Sequence, residues 1–398
     1  DHQGSGRVGG DGVMAKLGEV CDILNGYAFK SNQYTTSGVR IIRISNVQKG
    51  YIEDKSPVYY PCDDENVKKY ELKQNDLLIS LTGNVGRTAL LEEKFLPAAL
   101  NQRVSCIRLK EPDKVLKTYL FHLLNSDYFE QQCMKAAEGV AQKNLSPKWL
   151  FEYKIPIYSI ERQKEISNTL DKIDLLIILR KQQLAKLDEL VKARFVEMFG
   201  TFPANPFRWS TGKIQDVVSD VRYGSSRPAV EGGKYPYLRM NNITYSGELD
   251  LRDTKQIDIP DSELDKCTVR RGDVLFNRTN SKELVGKTCV YNRDELMVLA
   301  GFVIRVRVNE RIRPEVLSAF LNMDFSKRML IGMCKTAIGQ ANINAKELQN
   351  IDLYIPPIEL QDQFVTLKNK IDQQKQTVQQ SLEKLELLKK ALMQEYFV

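Results

Sequence analysis

Histidine is almost absent from this sequence, which carries only His2 and His122. His2 lies in a Gly-rich opening stretch. His122 sits in the apolar run YLFHLL, where it reads as a packed or surface helix residue rather than a base. Chemistry that depends on an imidazole therefore has almost nothing to work with. The seven cysteines (Cys21, Cys62, Cys106, Cys133, Cys267, Cys289 and Cys334) are odd in number and scattered, with no C-x-x-C. That usage speaks against a disulfide framework or a zinc spacing and favours a reducing cytoplasm. No apolar run approaches the roughly eighteen residues of a membrane span, and no secretory signal is visible. Phosphate-cradling loops are missing too. No G-x-G-x-x-G follows a strand pattern, and no G-x-x-x-x-G-K-[ST] occurs.

What is present is ordinary in bulk. The chain has 398 residues, 42% of them apolar and 27% charged, enough for two to three domains with cores of their own. The formal charge of +7 admits a polyanionic partner without requiring one. Residues 1–13 (DHQGSGRVGGDGV) are polar, Gly-rich and without hydrophobic period, and are expected to be a cloning scar outside the fold.

The informative feature is an internal repeat. Residues 141–199 align without a gap with 339–397 at an offset of 198, and about twenty of the 59 positions are identical. Matches include Gln142 and Asn144 with Gln340 and Asn342, Gln163 with Gln361, and Lys172-Ile173-Asp174 with Lys370-Ile371-Asp372. The dissimilar segments before each copy share a faint skeleton. Asp76-Leu77-Leu78 echoes Asp273-Val274-Leu275, and Thr82 echoes Thr279. Arg43…Asn46-Val47 echoes Arg239…Asn242-Ile243, Gly86-Arg87-Thr88 echoes Gly286-Lys287-Thr288, and Leu124-Asn125 echoes Leu321-Asn322. The chain is two half-proteins in tandem.

The repeated segments predict long helices. Pro156 and Pro356-Pro357 precede them, and neither Pro nor Gly follows Glu161 until Gly200, or Glu359 to the end. Ile166, Leu170, Ile173, Ile177, Leu184, Leu187, Val191 and Met198 step by threes and fours in the first. Phe364, Ile371, Val378, Leu382, Leu385 and Leu392 take the same phase in the second. Arg180 and Lys375 interrupt the seam and are expected to face a partner or stay solvated. Each helix of about 38 residues would span roughly 57 Å. The remaining segments predict a mixed α/β fold, with strands near 39–44, 77–81, 104–109, 274–276 and 302–308, mostly antiparallel, and helices near 118–137 and 314–334.

Alternating variable and repeated regions resemble the specificity subunits of type I restriction–modification systems. So do the step GVAQKNLSPKWL into IPIYSIERQKEI and its counterpart AIGQANINAKEL into LYIPPIELQDQF. The Pro-Pro-Ile-Glu-Leu-Gln of the second copy is nearest the family's wording; the first has Tyr158-Ser159 in place of Pro-Pro. The resemblance implies an α/β (α+β) architecture. Target recognition domains at 14–143 and 200–341 would each read half of a split double-stranded DNA site. Helical regions at 144–199 and 342–398 would form an antiparallel coiled coil that docks two adenine-N6 methyltransferase subunits, with restriction/translocase subunits able to join. S-adenosylmethionine would belong to that partner, and this chain would bind no cofactor and be no enzyme. The residues agree: Asn205-Pro206-Phe207 lacks the second proline of an adenine methyltransferase motif, and no Asp…Glu-x-Lys nuclease pattern stands out. A coiled-coil adaptor and a methyltransferase or restriction polypeptide are the alternative readings.

Base edges and phosphates are read by amides, hydroxyls and cations on held loops. Two loops fit: Ser80, Thr82, Asn84 and Arg87 in the first half, and Asn277, Arg278, Thr279, Asn280, Lys282 and Lys287 in the second. An ordinary polar hairpin loop is the competing explanation, and recurrence in both halves favours function. Further candidates are Arg43, Asn46, Asn101, Gln102 and Arg103, and Arg227, Arg239, Asn241 and Asn242. Tyr27, Tyr223 and Tyr237 read as core or turn residues. Gln142, Asn144, Gln340 and Asn342 read as a structural hinge. Leu175, Leu176, Ile178 and Leu179 fall outside the seam and predict an interface.

Overall fold

A computed structural model describes residues 12–137, 144–281, 283–337 and 340–398. Lys282 and Gln142 lie outside the described residues, as does the opening stretch up to 11. The chain forms two compact units, Asp1–Arg180 with Ser381–Val398, and Lys181–Gln380.

In the first unit a four-stranded antiparallel sheet runs in the order Cys21–Asn25, Val104–Leu109, Leu77–Ser80, Thr88–Leu90. Its central strand is buried on both faces, so LLIS reads as a continuous apolar run rather than an alternation. The period of two still sorts the side chains. Leu77, Ile79 and Ile107 pack under the helices Lys117–Leu124 and Asp127–Ala136 with Tyr119, Leu120, Leu123 and Phe129. Leu78, Val104 and Cys106 face a second sheet, joining Ile42, Val47, Leu72 and Leu100. That sheet is mixed, because Val39–Ile42 and Ala98–Leu100 pair in parallel. A short strand, Val13–Lys16, pairs with Lys154–Ile157.

The second unit repeats the plan. Val218–Tyr223, Val303–Val308, Val274–Asn277 and Thr288–Val290 form the antiparallel sheet. A mixed sheet holds the parallel pair Tyr235–Leu238 and Met297–Leu299, and Ser210–Lys213 pairs with Asp352–Ile355. Val274, Phe276, Ile304 and Val306 face helices, while Leu275, Cys289 and Val303 face the mixed sheet. One sheet has no twin among the described residues: Thr279–Asn280, Gln340–Asn342 and Lys335–Ala337.

Two 40-residue helices, Ile160–Phe199 and Ile358–Phe397, carry the repeat. Ser159 starts the first by accepting a hydrogen bond from Arg162 N at its Oγ, and Pro357 opens the second through its carbonyl. The Tyr-Ser for Pro-Pro exchange therefore swaps one way of starting a helix for another. Gly200, at φ +84°, ends the first helix in the left-handed conformation that glycine tolerates.

Within each unit the helices run antiparallel. In the first, Asp174 pairs with Lys389 and Arg162 lies over the Tyr396 ring. In the second, Asp188 pairs with Lys375 and Phe195 packs on Phe364. Ile166, Leu170, Ile173 and Ile177 are buried as the periodicity predicts. Leu184, Leu187, Val191 and Met198 are half-buried; Val191 and Met198 pack at the edge of a core whose centre is filled by Phe195 and Phe199. Lys375 is neither solvated nor open to a partner. It is buried, with its ammonium held by Asp188 and Glu248.

Matched glutamines fasten each helix to its unit. Gln163, fully buried, accepts from Leu116 N and donates to the carbonyls of Lys114 and Tyr158, all at 2.8 Å. Gln361 accepts from Arg313 N and donates to the carbonyls of Arg311 and Pro356 at 2.8–3.0 Å. The amide's full geometry is used in both.

Candidate nucleic-acid interface

In each unit several loops meet where the central strands end. The turn 101–103 joins the two sheets, and Leu81 N donates to Arg103 O while Gln102 N donates to Tyr27 O. In the second unit Arg278 N donates to Phe302 O and Gly301 N to Ser225 O. The hairpin loop after the central strand closes alike in both, with Gly86 N bonded to Ser80 O and Gly286 N to Asn277 O. Each loop is also tied to the start of the repeated segment: Thr82 Oγ1 donates to Asn144 Oδ1 at 3.3 Å, and Thr279 Oγ1 to Asn342 Oδ1 at 3.0 Å.

Eight candidates at these ends are buried, and most of them are bonded within the protein. Asn46 accepts from Arg43 N and donates to Glu53 O, and Asn242 repeats this with Arg239 N and Asp250 O. Ser80 staples its loop, donating to Asn84 O and accepting from Arg87 N, and Asn277 donates to Leu284 O in the twin loop. Thr82 and Thr279 make the ties above. Asn101 sits inside the sheet-joining turn. Lys287 donates to Met240 O, and burial lowers its pKa. Most of these buried groups spend their hydrogen bonds on the loop frame itself, while the Asn277 Oδ1 is buried without a partner.

The remaining candidates reach solvent. Arg227 is paired with Glu263, and Arg239 with Asp253. Arg43 donates to Ser56 O, Arg87 to Gln48 Oε1, and the Asn280 side chain accepts from Ser281 N. Asn84, Gln102, Arg103 and Asn241 are exposed. Among the described residues, the guanidinium of Arg103 makes no hydrogen bond or ion pair. That of Arg278 makes none either, lying instead 4.7 Å from the centroid of the Tyr223 ring.

Two aromatic side chains stand beside these candidates: Tyr223, expected to be a core or turn residue, and Phe302, which sequence reasoning did not single out. Tyr223 is 41% exposed and Phe302 54% exposed, both at the loop end of the second unit. One signal could have found the first: Tyr223 precedes Gly224 as Asn25 precedes Gly26. A Cβ on either glycine would lie 2.1 Å from a backbone carbonyl oxygen, of Leu299 and Asn101 respectively. His122 is buried in its helix with Nε2 2.7 Å from Asp171, and burial lowers its pKa. Among the described residues, no group of three or more His, Cys, Asp or Glu could hold a metal, and no helix is long and apolar enough to cross a membrane.

Twin α/β domains that gather amides and arginines at one end, each seated on paired helices, define a class of protein built for recognition. The chain belongs to the family whose model is described as "Type I restriction modification DNA specificity domain", which matches residues 11–189 and 206–387. The type I restriction enzyme EcoKI specificity subunit of Escherichia coli K12 is 22% identical over 387 residues, 91% of this chain and 82% of that protein. The MjaVIII specificity subunit of Methanocaldococcus jannaschii is 31% identical over 194 residues, 47% of this chain and 45% of that one. The solved type I restriction–modification S subunit from M. genitalium shares the fold, with a TM-score of 0.56 at 15% identity over 98% of this chain and 96% of that one. A chain from a structural study of type I R-M complex assembly and conformational transition gives 0.58 at 18%, covering 98% of both. The relatives are named specificity subunits, the non-catalytic DNA-recognition components of such systems. This chain is accordingly a specificity subunit with two such domains, not an enzyme.

Proposed function

We propose that this chain reads a bipartite DNA site, one half with each recognition domain, and holds adenine-N6 methyltransferase subunits on its helix pair. The domains are 14–143 and 200–341, and the helical regions 144–199 and 342–398. The observation that carries this reading is the recurrence of one scaffold whose loop ends differ. A shared frame serves a shared partner, while different surfaces serve different half-sites. The two domains therefore read unlike sequences, and the spacing between half-sites follows from the scaffold.

The docking surface for the methyltransferase includes Leu175, Leu176, Ile178 and Leu179, all exposed on the first long helix. Two methyltransferase subunits bind, restriction/translocase subunits join them, and S-adenosylmethionine is bound by the partner. The seven cysteines are all free thiols, which suits a cytoplasmic location. The deciding experiment is methylation-aware sequencing of host DNA with and without the gene. A split adenine-methylated motif that vanishes with the gene is expected. An unchanged methylome in a host with an active partner methyltransferase refutes the reading.

A further inference from the structure

The two loop ends differ by an exchange of side chains on one backbone frame. Where the first unit has the buried Leu81, whose N–H donates to Arg103 O, the second has Arg278, whose N–H donates to Phe302 O at 3.0 Å. Where the first has Asn25, which accepts from the Ser105 hydroxyl, the second has the exposed ring of Tyr223. Cation and hydrophobe have thus traded places, and an aromatic platform has been added in one unit only.

That platform is rigid. The Tyr223 hydroxyl accepts a hydrogen bond from Ala345 N at 2.8 Å, which fixes the ring. The Arg278 backbone is held on both sides, donating to Phe302 O and accepting from Ile343 N at 2.9 Å. A guanidinium lying over a ring is kept flat by the cation–π attraction, and its in-plane N–H groups stay available. Among the described residues the Arg278 guanidinium has no hydrogen-bond acceptor, and its Nε is buried without one. A preset, unsatisfied, planar two-donor edge matches one base feature above all, the O6 and N7 acceptors of guanine in the major groove. Beside it on the bonded backbone stands Phe302, a large apolar side chain more than half exposed. On a surface otherwise made of amides and cations, its complement among base edges is the thymine methyl group.

We infer that the second recognition domain reads a guanine with Arg278, presented on Tyr223, and the methyl of a neighbouring thymine with Phe302. This rests on the DNA-reading function proposed above. The first domain lacks both devices and must read its half-site differently, with Arg103 as an unpaired cation at its loop end among the described residues.

The test uses the whole chain co-purified with its methyltransferase and a duplex carrying the site found by methylation sequencing. Modified duplexes replace each guanine of the second half-site in turn by 7-deazaguanine, and each thymine by uracil. One 7-deazaguanine position is expected to weaken binding of the wild type roughly tenfold to hundredfold, and R278A to abolish that sensitivity while leaving the first half-site's preferences intact. One uracil position is expected to weaken wild-type binding and to have no further effect in F302A. Y223L, which removes the platform, is expected to reduce discrimination at the same guanine, and Y223F to retain most of it. If R278A weakens specific and random duplexes alike, Arg278 is a phosphate contact and the inference falls. It falls equally if the deazaguanine and uracil sensitivities persist in R278A and F302A. Failure of the wild-type complex to prefer any sequence would instead overturn the DNA-reading function itself.

Discussion

Gln163→Leu removes the first helix's fastening while keeping side-chain volume close to native. Three hydrogen bonds at 2.8 Å are lost, and the Leu116 N–H and the Lys114 and Tyr158 carbonyls lose a partner inside the core. At about 1 kcal/mol net per neutral bond, plus the cost of stranding buried polar groups, the loss is roughly 3–5 kcal/mol. The new leucine returns about 1–2 kcal/mol of apolar burial, leaving a destabilisation of about 1–4 kcal/mol. For a unit of some 200 residues this lowers the melting temperature by about 2–16 °C. Calorimetry reads the shift, and hydrogen exchange localises it, because the Leu116 amide loses its acceptor and should exchange faster. Gln361→Leu should do the same to the second unit through Arg313 N. A melting temperature within 1 °C of wild type, with Leu116 still protected, would refute the assignment of the glutamine as a fastening.

Three other expectations follow from the same structure. Lys327 is buried with its ammonium on Gly286 O at 2.5 Å, and burial, with repulsion from Lys192 and Lys287, brings its pKa down to about 7. The unfolded chain then holds a proton between about pH 7 and the ordinary lysine value that the folded chain has shed, so stability rises with pH across that window. The urea midpoint should increase from pH 7 to 8.5 in the wild type and much less in Lys327→Met; equal increments in the two proteins would contradict this. Replacing Leu175 and Leu179 together by Glu should leave melting nearly unchanged, both being exposed, but abolish co-purification with the methyltransferase; retained stoichiometric binding would remove this surface from the docking site. Inserting one heptad after Lys181 and another after Gln379 keeps the seam in phase and adds about 10 Å of helix. The preferred spacer should lengthen by about three base pairs with half-sites unchanged, and an unaltered spacer at full affinity would disprove the ruler.

Much of the fold was legible because its rules are local. Proline and glycine placement bracketed both long helices, and a period near 3.5 picked out Ile166, Leu170, Ile173 and Ile177 correctly. Toward the C-terminal end of the first helix the scheme is incomplete: Val191 and Met198 pack against the core as expected but stay half-buried, while Phe195 and Phe199, off the seam, are the fully buried side chains. There the helix leaves a simple two-helix seam and packs against a domain, which broadens the buried face. Lys375 was misread for a similar reason. Its partners, Asp188 and Glu248, lie 187 and 127 residues away, and no local pattern announces them. The parallel strand pairs were equally hidden, because parallel pairing needs a long connection whose course the strand sequences do not encode.

The candidate site was legible in place but not in person. Searching for echoes between the halves led to loops that stand at matching ends of the two units, yet an echo selects what both halves need, and both need the frame. Asp76 and Asp273 show this most plainly. Each is buried, each is gripped by an arginine from the neighbouring strand, Arg108 or Arg307, and each accepts from a backbone N–H three residues before it. Asn46 with Asn242, Gln163 with Gln361, and Thr82 with Thr279 follow the same logic. On the proposed function the two domains read different half-sites and must differ where they touch them, so reading residues are expected at positions of equal backbone and unequal side chain. Leu81 against Arg278, Arg103 against Phe302 and Asn25 against Tyr223 share backbone and differ in side chain; the first pair follows from the Asp76–Asp273 and Thr82–Thr279 echoes, while the other two fall at different offsets and align only through the hydrogen-bond register of the loop ends. If each copy reads its own half-site as proposed, likeness between the copies traces the shared frame, and difference is where the reading residues are to be sought.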